Sequence, residues 1–126
     1  MPEHPNATLA RQMLDKFNSG DLQAGAEMLA DDVVWHEIGN PNAIHGLAAL
    51  TEHMTGANAP DYTITAELHD VVANDDHTIG LATATATRDG KSFTYRVAEI
   101  YHIKDGKVTE RWAFSDDTEA ITKFFA

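Results

Sequence analysis

The fold is decided by residues 93–103, which have the sequence FTYRVAEIYHI. Apart from Glu99, every second side chain in this stretch is apolar or aromatic, and such alternation is typical of a strand with one buried face. Glu99 lies in the middle of that face. A buried carboxyl group must be paired, hydrogen-bonded or protonated, because burying it bare costs too much free energy. Glu99 is therefore the first candidate site residue.

The same alternation continues on both sides of this stretch. It predicts four strands, over residues 62–73, 78–88, 92–103 and 108–115. Two of their connectors, Asp89-Gly90 and Asp105-Gly106, are of the Asp-Gly type that forms two-residue hairpin turns. Short hairpins make neighbouring strands antiparallel, so the second half of the chain is predicted to be an antiparallel meander.

The first half of the chain has helical spacing instead. It predicts three helices, the first closed by Gly20, the second begun by Asp21 and the third over residues 46–55, with a strand over residues 33–38. A short final helix starts at Asp116 or Asp117. The predicted fold class is α+β, with a cone-shaped curved antiparallel sheet wrapped around the three N-terminal helices. We expect residues 1–126 to form a single domain.

Composition and net charge limit the possible binding partners and indicate a cellular location. The net charge of −11 argues against nucleic acid and against anionic membranes as partners. The chain has no cysteine and hence no thiolate chemistry, and no apolar run has transmembrane length. The start of the chain lacks the pattern of a signal peptide, so a cytoplasmic location is expected, although a cysteine-free chain is also compatible with export.

Four motifs, in this order, carry a resemblance to a known family. They are residues 17–22 (FNSGDL), 29–36 (LADDVVWH), 45–50 (HGLAAL) and 103–112 (IKDGKVTERW). Together they resemble the nuclear transport factor 2-like superfamily, nearest to SnoaL-like polyketide cyclases and ketosteroid isomerase-like proteins. The resemblance implies an open cone, a small apolar or carbonyl ligand and no cofactor. The fold hosts many unrelated functions, so it implies less about activity.

Carried over residue by residue, the resemblance implies an altered site. The position of the isomerases' general base corresponds to His36, and that of their oxyanion-holding acid corresponds to Glu99. The isomerases' tyrosine corresponds to Met13, and the aspartate of many cyclases corresponds to Ala113. Because the tyrosine donor is missing, we expect little or no steroid isomerase activity.

The strongest site hypothesis pairs His36 with Glu99 as catalytic residues. His36 would move a proton, and Glu99 would orient the imidazole or donate to a substrate oxygen as a protonated acid. We predict a hydrogen bond between them inside the cone. The structural alternatives are a core histidine bonded to a backbone carbonyl or to Glu99, and a buried ion pair of Glu99 with Arg111 or Arg88.

Small side chains on one strand predict a ligand pocket. Gly80, Ala82, Ala84 and Ala86 share a strand face, and a pocket results if that face looks into the cone. The alternative is that a helix packs closely against these residues. The expected pocket lining is Met13, Val34, His53, Met54, Tyr95, Val97, Tyr101 and Arg111. The seven histidines show no metal-ligand spacing, so no metal site is predicted.

The opposite sheet face carries Ile79, Leu81 and Trp112, which predicts a homodimer through the outer face. Three functions remain open. The first is cofactor-free proton transfer, as in an isomerase or cyclase, or water addition on a small apolar carbonyl compound. The second is non-catalytic ligand binding, and the third is an assembly module with a filled cone. The sequence leaves open whether the protein is an enzyme.

Overall fold

The computed structural model describes residues 3–56 and 61–126. Its helices are α1 (Pro5–Asn18), α2 (Leu22–Ala26), α3 (Leu47–Thr55) and α4 (Thr118–Phe125). Its strands are β1 (Leu29–Trp35), β2 (Ile44–His45), β3 (Thr63–Ala73), β4 (Thr78–Arg88), β5 (Lys91–Lys104) and β6 (Lys107–Ser115). The predicted α+β order of elements is confirmed. Within the described ranges, no helix is both long and apolar enough to cross a bilayer.

The six strands form one curved, unclosed sheet in the order β2-β1-β6-β5-β4-β3. Strands β3 to β6 are the predicted antiparallel meander. Strand β1, however, joins β6 in parallel, so the sheet is mixed and not wholly antiparallel. This pairing joins two strands far apart in sequence, so no hairpin turn announces it. It places the end of β1 beside Arg111 of β6, which matters for the site below.

Both Asp-Gly turns form as predicted. Asp89 and Gly90 have φ angles of 53° and 76°, and Asp105 and Gly106 have φ angles of 52° and 76°. Two successive positive φ angles define the hairpin turn whose twist matches that of the flanking strands. These turns fix the register of β5 against β4 and β6, and therefore fix which side chains of β5 face inward.

Helices α2 and α4 each begin at an aspartate side chain. Asp21 accepts a hydrogen bond from the Ala24 amide and begins α2. Asp117 does the same for α4 by accepting from the Ala120 amide. The N-cap of α4 is thus Asp117 and not Asp116, which places Glu119 at the second helical position.

The interior contains two apolar clusters. The first, the helix cluster, packs α1 and α3 against the sheet and includes Met13, Val33, Trp35, Leu50, Val71, Tyr101 and Val108. The second, the α4 cluster, contains Ala82, Ala84, Ala86, Tyr95, Val97, Ala113 and Ile121, with Phe93, Phe124 and Phe125 packed against it. The small face of β4 does look inward, as predicted. Ile121 and Phe124 of α4 pack against it, so the alternative of a helix packed against these small residues is what the structure contains.

The long outer edge of the sheet is β3, and α1 contacts its backbone. The Asn18 amide nitrogen donates to the Ala66 carbonyl at 2.7 Å, and the Asn18 side-chain oxygen accepts from the Ala66 amide at 3.0 Å. One side chain thus makes the two hydrogen bonds that a neighbouring strand would make at this position.

Candidate functional site

Three side chains on β5 and β6 form a polar group inside the cone. In this inner polar group, Arg111 Nη2 lies 2.8 Å from Glu99 Oε1, and the Tyr101 hydroxyl donates to Glu99 Oε2. Tyr101 and Arg111 are register partners on adjacent strands, which places all three on the inner face. The side chains of Glu99 and Arg111 are each 12% exposed. The structural alternative of a Glu99–Arg111 ion pair is therefore what the structure contains.

Arg111 is held from several sides. Its Nη1 donates to the His36 carbonyl at 3.0 Å, and its guanidinium carbon lies 4.5 Å from the centroid of the Trp35 ring. A cation over the face of a tryptophan is attracted by the electrons of the ring. Arg111 Nε is buried and has no hydrogen-bond partner among the described residues. The parallel pairing of β1 with β6 creates these contacts, because it places Trp35 directly beside Arg111.

The protonation states of this group follow from its surroundings. Burial, followed by the charge of Glu99, raises the pKa of Tyr101 well above its usual 10.0. Burial alone would lower the pKa of Arg111, but the Glu99 carboxylate and then Tyr101 raise that pKa above its ordinary value. At neutral pH the phenol is therefore a hydrogen-bond donor and the guanidinium is a cation. Both donate a hydrogen bond to the Glu99 carboxylate.

His36 lies on the other side of the sheet. Its Nε2 is 2.8 Å from Glu110 Oε2, and its ring stacks on Trp112 at 5.1 Å with an interplanar angle of 5°. The predicted His36–Glu99 hydrogen bond is wrong. The buried residues of β1 are Leu29, Val33 and Trp35, so Val34 and the following His36 face outward.

The predicted pocket residues divide accordingly. Met13, Tyr95, Val97, Tyr101 and Arg111 face the interior, whereas Val34 lies on the outer face. Met54 lines a cavity of about 380 Å³ between α1, α2 and α3, whose walls include Phe17, Leu22, Leu47 and Leu50. A second cavity of about 410 Å³ lies between α1 and β3. Glu99 and Arg111 line neither of them.

A histidine–carboxylate pair joins α3 to the segment that follows β1. His53 Nε2 is 3.2 Å from Glu37 Oε2, with side chains 39% and 29% exposed. Sequence reasoning placed His53 near the pocket but missed Glu37, because it took the adjacent His36 as the inward residue. The signal that identifies Glu37 is the alternation Val33, Trp35, Glu37. Within the described ranges, no group of three or more potential ligands is placed to hold a metal ion.

Comparison with known proteins identifies the family. A family model of the SnoaL-like domain matches residues 10–111. The solved structure of Bal32a, from a soil-derived mobile gene cassette, is 24% identical with a TM-score of 0.79, and the alignment covers 96% of each chain. An NTF2-like protein of unknown function from Burkholderia pseudomallei is 18% identical with a TM-score of 0.82, covering 96% of this chain and 97% of that one.

A third similar structure has a named activity. It is an LEH-like epoxide hydrolase of M. tuberculosis, 18% identical with a TM-score of 0.75, and the alignment covers 92% of this chain and 86% of that one. No curated protein matches this sequence. At these identities the likeness to solved structures establishes the fold alone.

Proposed function

This chain belongs to the SnoaL-like domain family, and from that premise we propose that it binds a small, largely apolar ligand bearing an oxygen function. We propose further that it catalyses cofactor-free proton transfer or water addition at that ligand, with Glu99 as the proton acceptor. The observation that supports this most directly is the inner polar group. It places an ion pair between two apolar clusters while leaving each charged side chain 12% exposed.

The geometry of Glu99 suits a general base. Each of its oxygens accepts one hydrogen bond, from Arg111 or from Tyr101, and a carboxylate oxygen can accept two. A lone pair on each oxygen is therefore left for a proton of the ligand or of a water molecule. Glu99 is also fixed in orientation by two donors, and a fixed base transfers protons more effectively than a mobile one.

Arg111 has a complementary role in this proposal. When a proton leaves a carbon next to a carbonyl, or when an epoxide opens, negative charge develops on the ligand oxygen. A cation held in a partly water-excluded site stabilises such charge. The M. tuberculosis relative named as an epoxide hydrolase is consistent with the water-addition form of the reaction.

Non-catalytic binding is the second candidate. It is favoured by the fact that Glu99 and Arg111 satisfy one another and that α4 already packs over the inner face of β4. A purely structural ion pair would look the same. In this case the ligand would be bound but not converted.

We also propose a homodimer through the outer face of the sheet. Two rows of register partners form an apolar patch there, Val72-Ile79-Ile100-Trp112 and Leu81-Ala98-Phe114. Val72 is 53% exposed, Leu81 is 45% exposed and Phe114 is 57% exposed. A closed two-fold pair is the commonest way to cover such a surface.

A fluorescence reporter separates binding from turnover. The chain has two tryptophans, so Trp112→Phe leaves Trp35, which contacts Arg111, as the only one. Binding of cyclohexanone or styrene oxide to this variant should change the Trp35 emission. Turnover is measured as exchange of the α-hydrogens of cyclohexanone in heavy water, or as formation of the diol from styrene oxide.

Glu99→Gln tests the proposed role of the carboxylate. It should lower turnover of the accepted probe by about 100-fold or more, the usual contribution of a general base, while the fluorescence change on binding persists. Glu119→Gln is the matched control, because Glu119 is exposed on α4 and its side chain is 82% accessible. Binding without turnover by the wild type would favour the non-catalytic candidate. Full activity of Glu99→Gln would exclude Glu99 as the base.

A further inference from the structure

The side chains of His53 and Glu37 are in contact beside the interior that contains the inner polar group. His53 lies three residues after Leu50 on α3, and Leu50 is only 1% exposed, so both residues lie on the inward side of that helix. Glu37 lies two residues after Trp35, in the segment that follows β1. Their side chains meet at 3.2 Å and remain accessible, at 39% and 29% exposure.

Electrostatic coupling links this pair to the inner polar group. Burial is the main cause of the raised pKa of Tyr62, and the charge of Glu37 is the next. Glu37 also contributes to the raised pKa of Arg111, after Glu99 and Tyr101. The charged and titratable groups around Glu37 are thus His53 from α3, Arg111 from β6, and Tyr62, which precedes β3. Arg111 also donates to the carbonyl of His36, the residue before Glu37, which brings the pair beside the inner polar group.

We propose that His53, oriented by Glu37, is the second proton-transferring group of the site and acts opposite Glu99. This inference rests on the proposed function. Nε2 of His53 contacts Glu37, so Nδ1 is the nitrogen that would face the ligand. A carboxylate on one ring nitrogen orients the imidazole. Glu37 is then a positioning residue, and His53 touches the ligand.

The proton balance is the same for both probe reactions. With an epoxide, water forms a bond to carbon and gives its proton to Glu99. The carbon–oxygen bond of the ring breaks, its electron pair stays on the oxygen, and that oxygen takes a proton from the His53 imidazolium. With a ketone, Glu99 removes the α-proton, the carbonyl electron pair moves to oxygen, and His53 protonates it. Solvent returns the proton from Glu99 to His53.

The test compares His53→Gln, Glu37→Gln and Glu99→Gln in the Trp112→Phe background. His45→Gln is the matched control, because His45 is an exposed histidine on β2. His53→Gln should lower turnover by about 100-fold or more while the Trp35 fluorescence change on probe binding persists. The loss should appear in kcat, with KM little changed, because His53→Gln removes a proton donor and not the binding site.

Glu37→Gln tests the positioning role. It should lower kcat less than His53→Gln does and leave KM unchanged, because it removes only the group that orients the imidazole. A wild-type kcat in His53→Gln, with loss of activity in Glu99→Gln, would overturn this inference and leave the proposed function standing. Failure of the wild type to convert either probe would overturn both.

Discussion

Glu99 and Arg111 show what an ion pair of limited solvent access contributes to stability. Removing one partner leaves the other charge desolvated and unpaired, which typically costs about 3–5 kcal/mol. Glu99→Ala should therefore lower the free energy of unfolding by about that amount in urea titrations. Glu119→Ala is the control, because its pair with Lys123 is 82% and 77% exposed and such pairs contribute about 0.5 kcal/mol or less. Similar small losses in both variants would mean that water reaches the inner polar group freely.

Tyr101 makes stability depend on pH in the alkaline range. Burial and Glu99 raise its pKa well above 10.0 in the folded protein, so the unfolded chain releases this proton first. Its stabilising effect is complete below about pH 10 and is lost as the pH rises toward the folded-state pKa. Urea unfolding at pH 9 and pH 11 should show a larger loss for the wild type than for Tyr101→Phe. An equal loss would place the alkaline sensitivity elsewhere, for example in Tyr62 and Tyr95.

The sequence identified Glu99 but assigned it the wrong partner, for a reason specific to β1. Both sets of alternate residues in that strand carry apolar side chains, Val33 and Trp35 on one face and Val34 on the other. Alternation alone cannot decide which set faces inward. The choice depends on the parallel contact with β6, which no local pattern in either strand records. Because the prediction placed Val34 on the inner face, it also assigned His36, and not Glu37, to the interior.

Among the secondary-structure elements, sequence patterns correctly predicted the strands that pair with their neighbours in sequence. The Asp-Gly turns dictate the hairpins β4–β5 and β5–β6, and the bounds of β3 to β6 differ from the predicted ones by at most one residue. Strand β1 spans Leu29–Trp35 and not the predicted residues 33–38. The position of α4 was not predicted. It depends on contacts with residues far away in sequence, including Tyr62 with Phe125 and Phe93 with Phe124.

Arg88 of β4 links the sheet to α4 by hydrogen bonds. It donates to the Phe124 carbonyl at 3.2 Å and to the Ala126 carbonyl at 2.9 Å, and its Nε lies 3.0 Å from Asp61. Arg88→Ala should therefore speed amide hydrogen exchange in α4 while leaving β5 protected. Arg96→Ala, which removes an exposed arginine of β5, is the control and should leave the exchange of α4 unchanged. Unaltered exchange in Arg88→Ala would mean that apolar packing alone holds the helix.

For the whole molecule, the outer apolar patch predicts the oligomeric state. Phe114 lies within that patch and is 57% exposed, so Phe114→Glu would place a charge in the proposed dimer interface. Analytical ultracentrifugation should show a dimer for the wild type and a monomer for this variant. Leu22→Glu is the matched control, because Leu22 is an exposed leucine on α2, away from the sheet face. A monomeric wild type at micromolar concentration would refute the proposed dimer.

The two hydrogen bonds between the Asn18 side chain and the Ala66 backbone also limit aggregation through the edge of the sheet. An uncovered outer strand offers backbone donors and acceptors to any other extended chain, and fibres can grow from such edges. Here one position of that edge is protected only while α1 is docked, because the protecting side chain belongs to the last residue of the helix. Partial unfolding that releases α1 would expose a template for strand addition. Docking of α1 therefore also protects the protein against aggregation through β3.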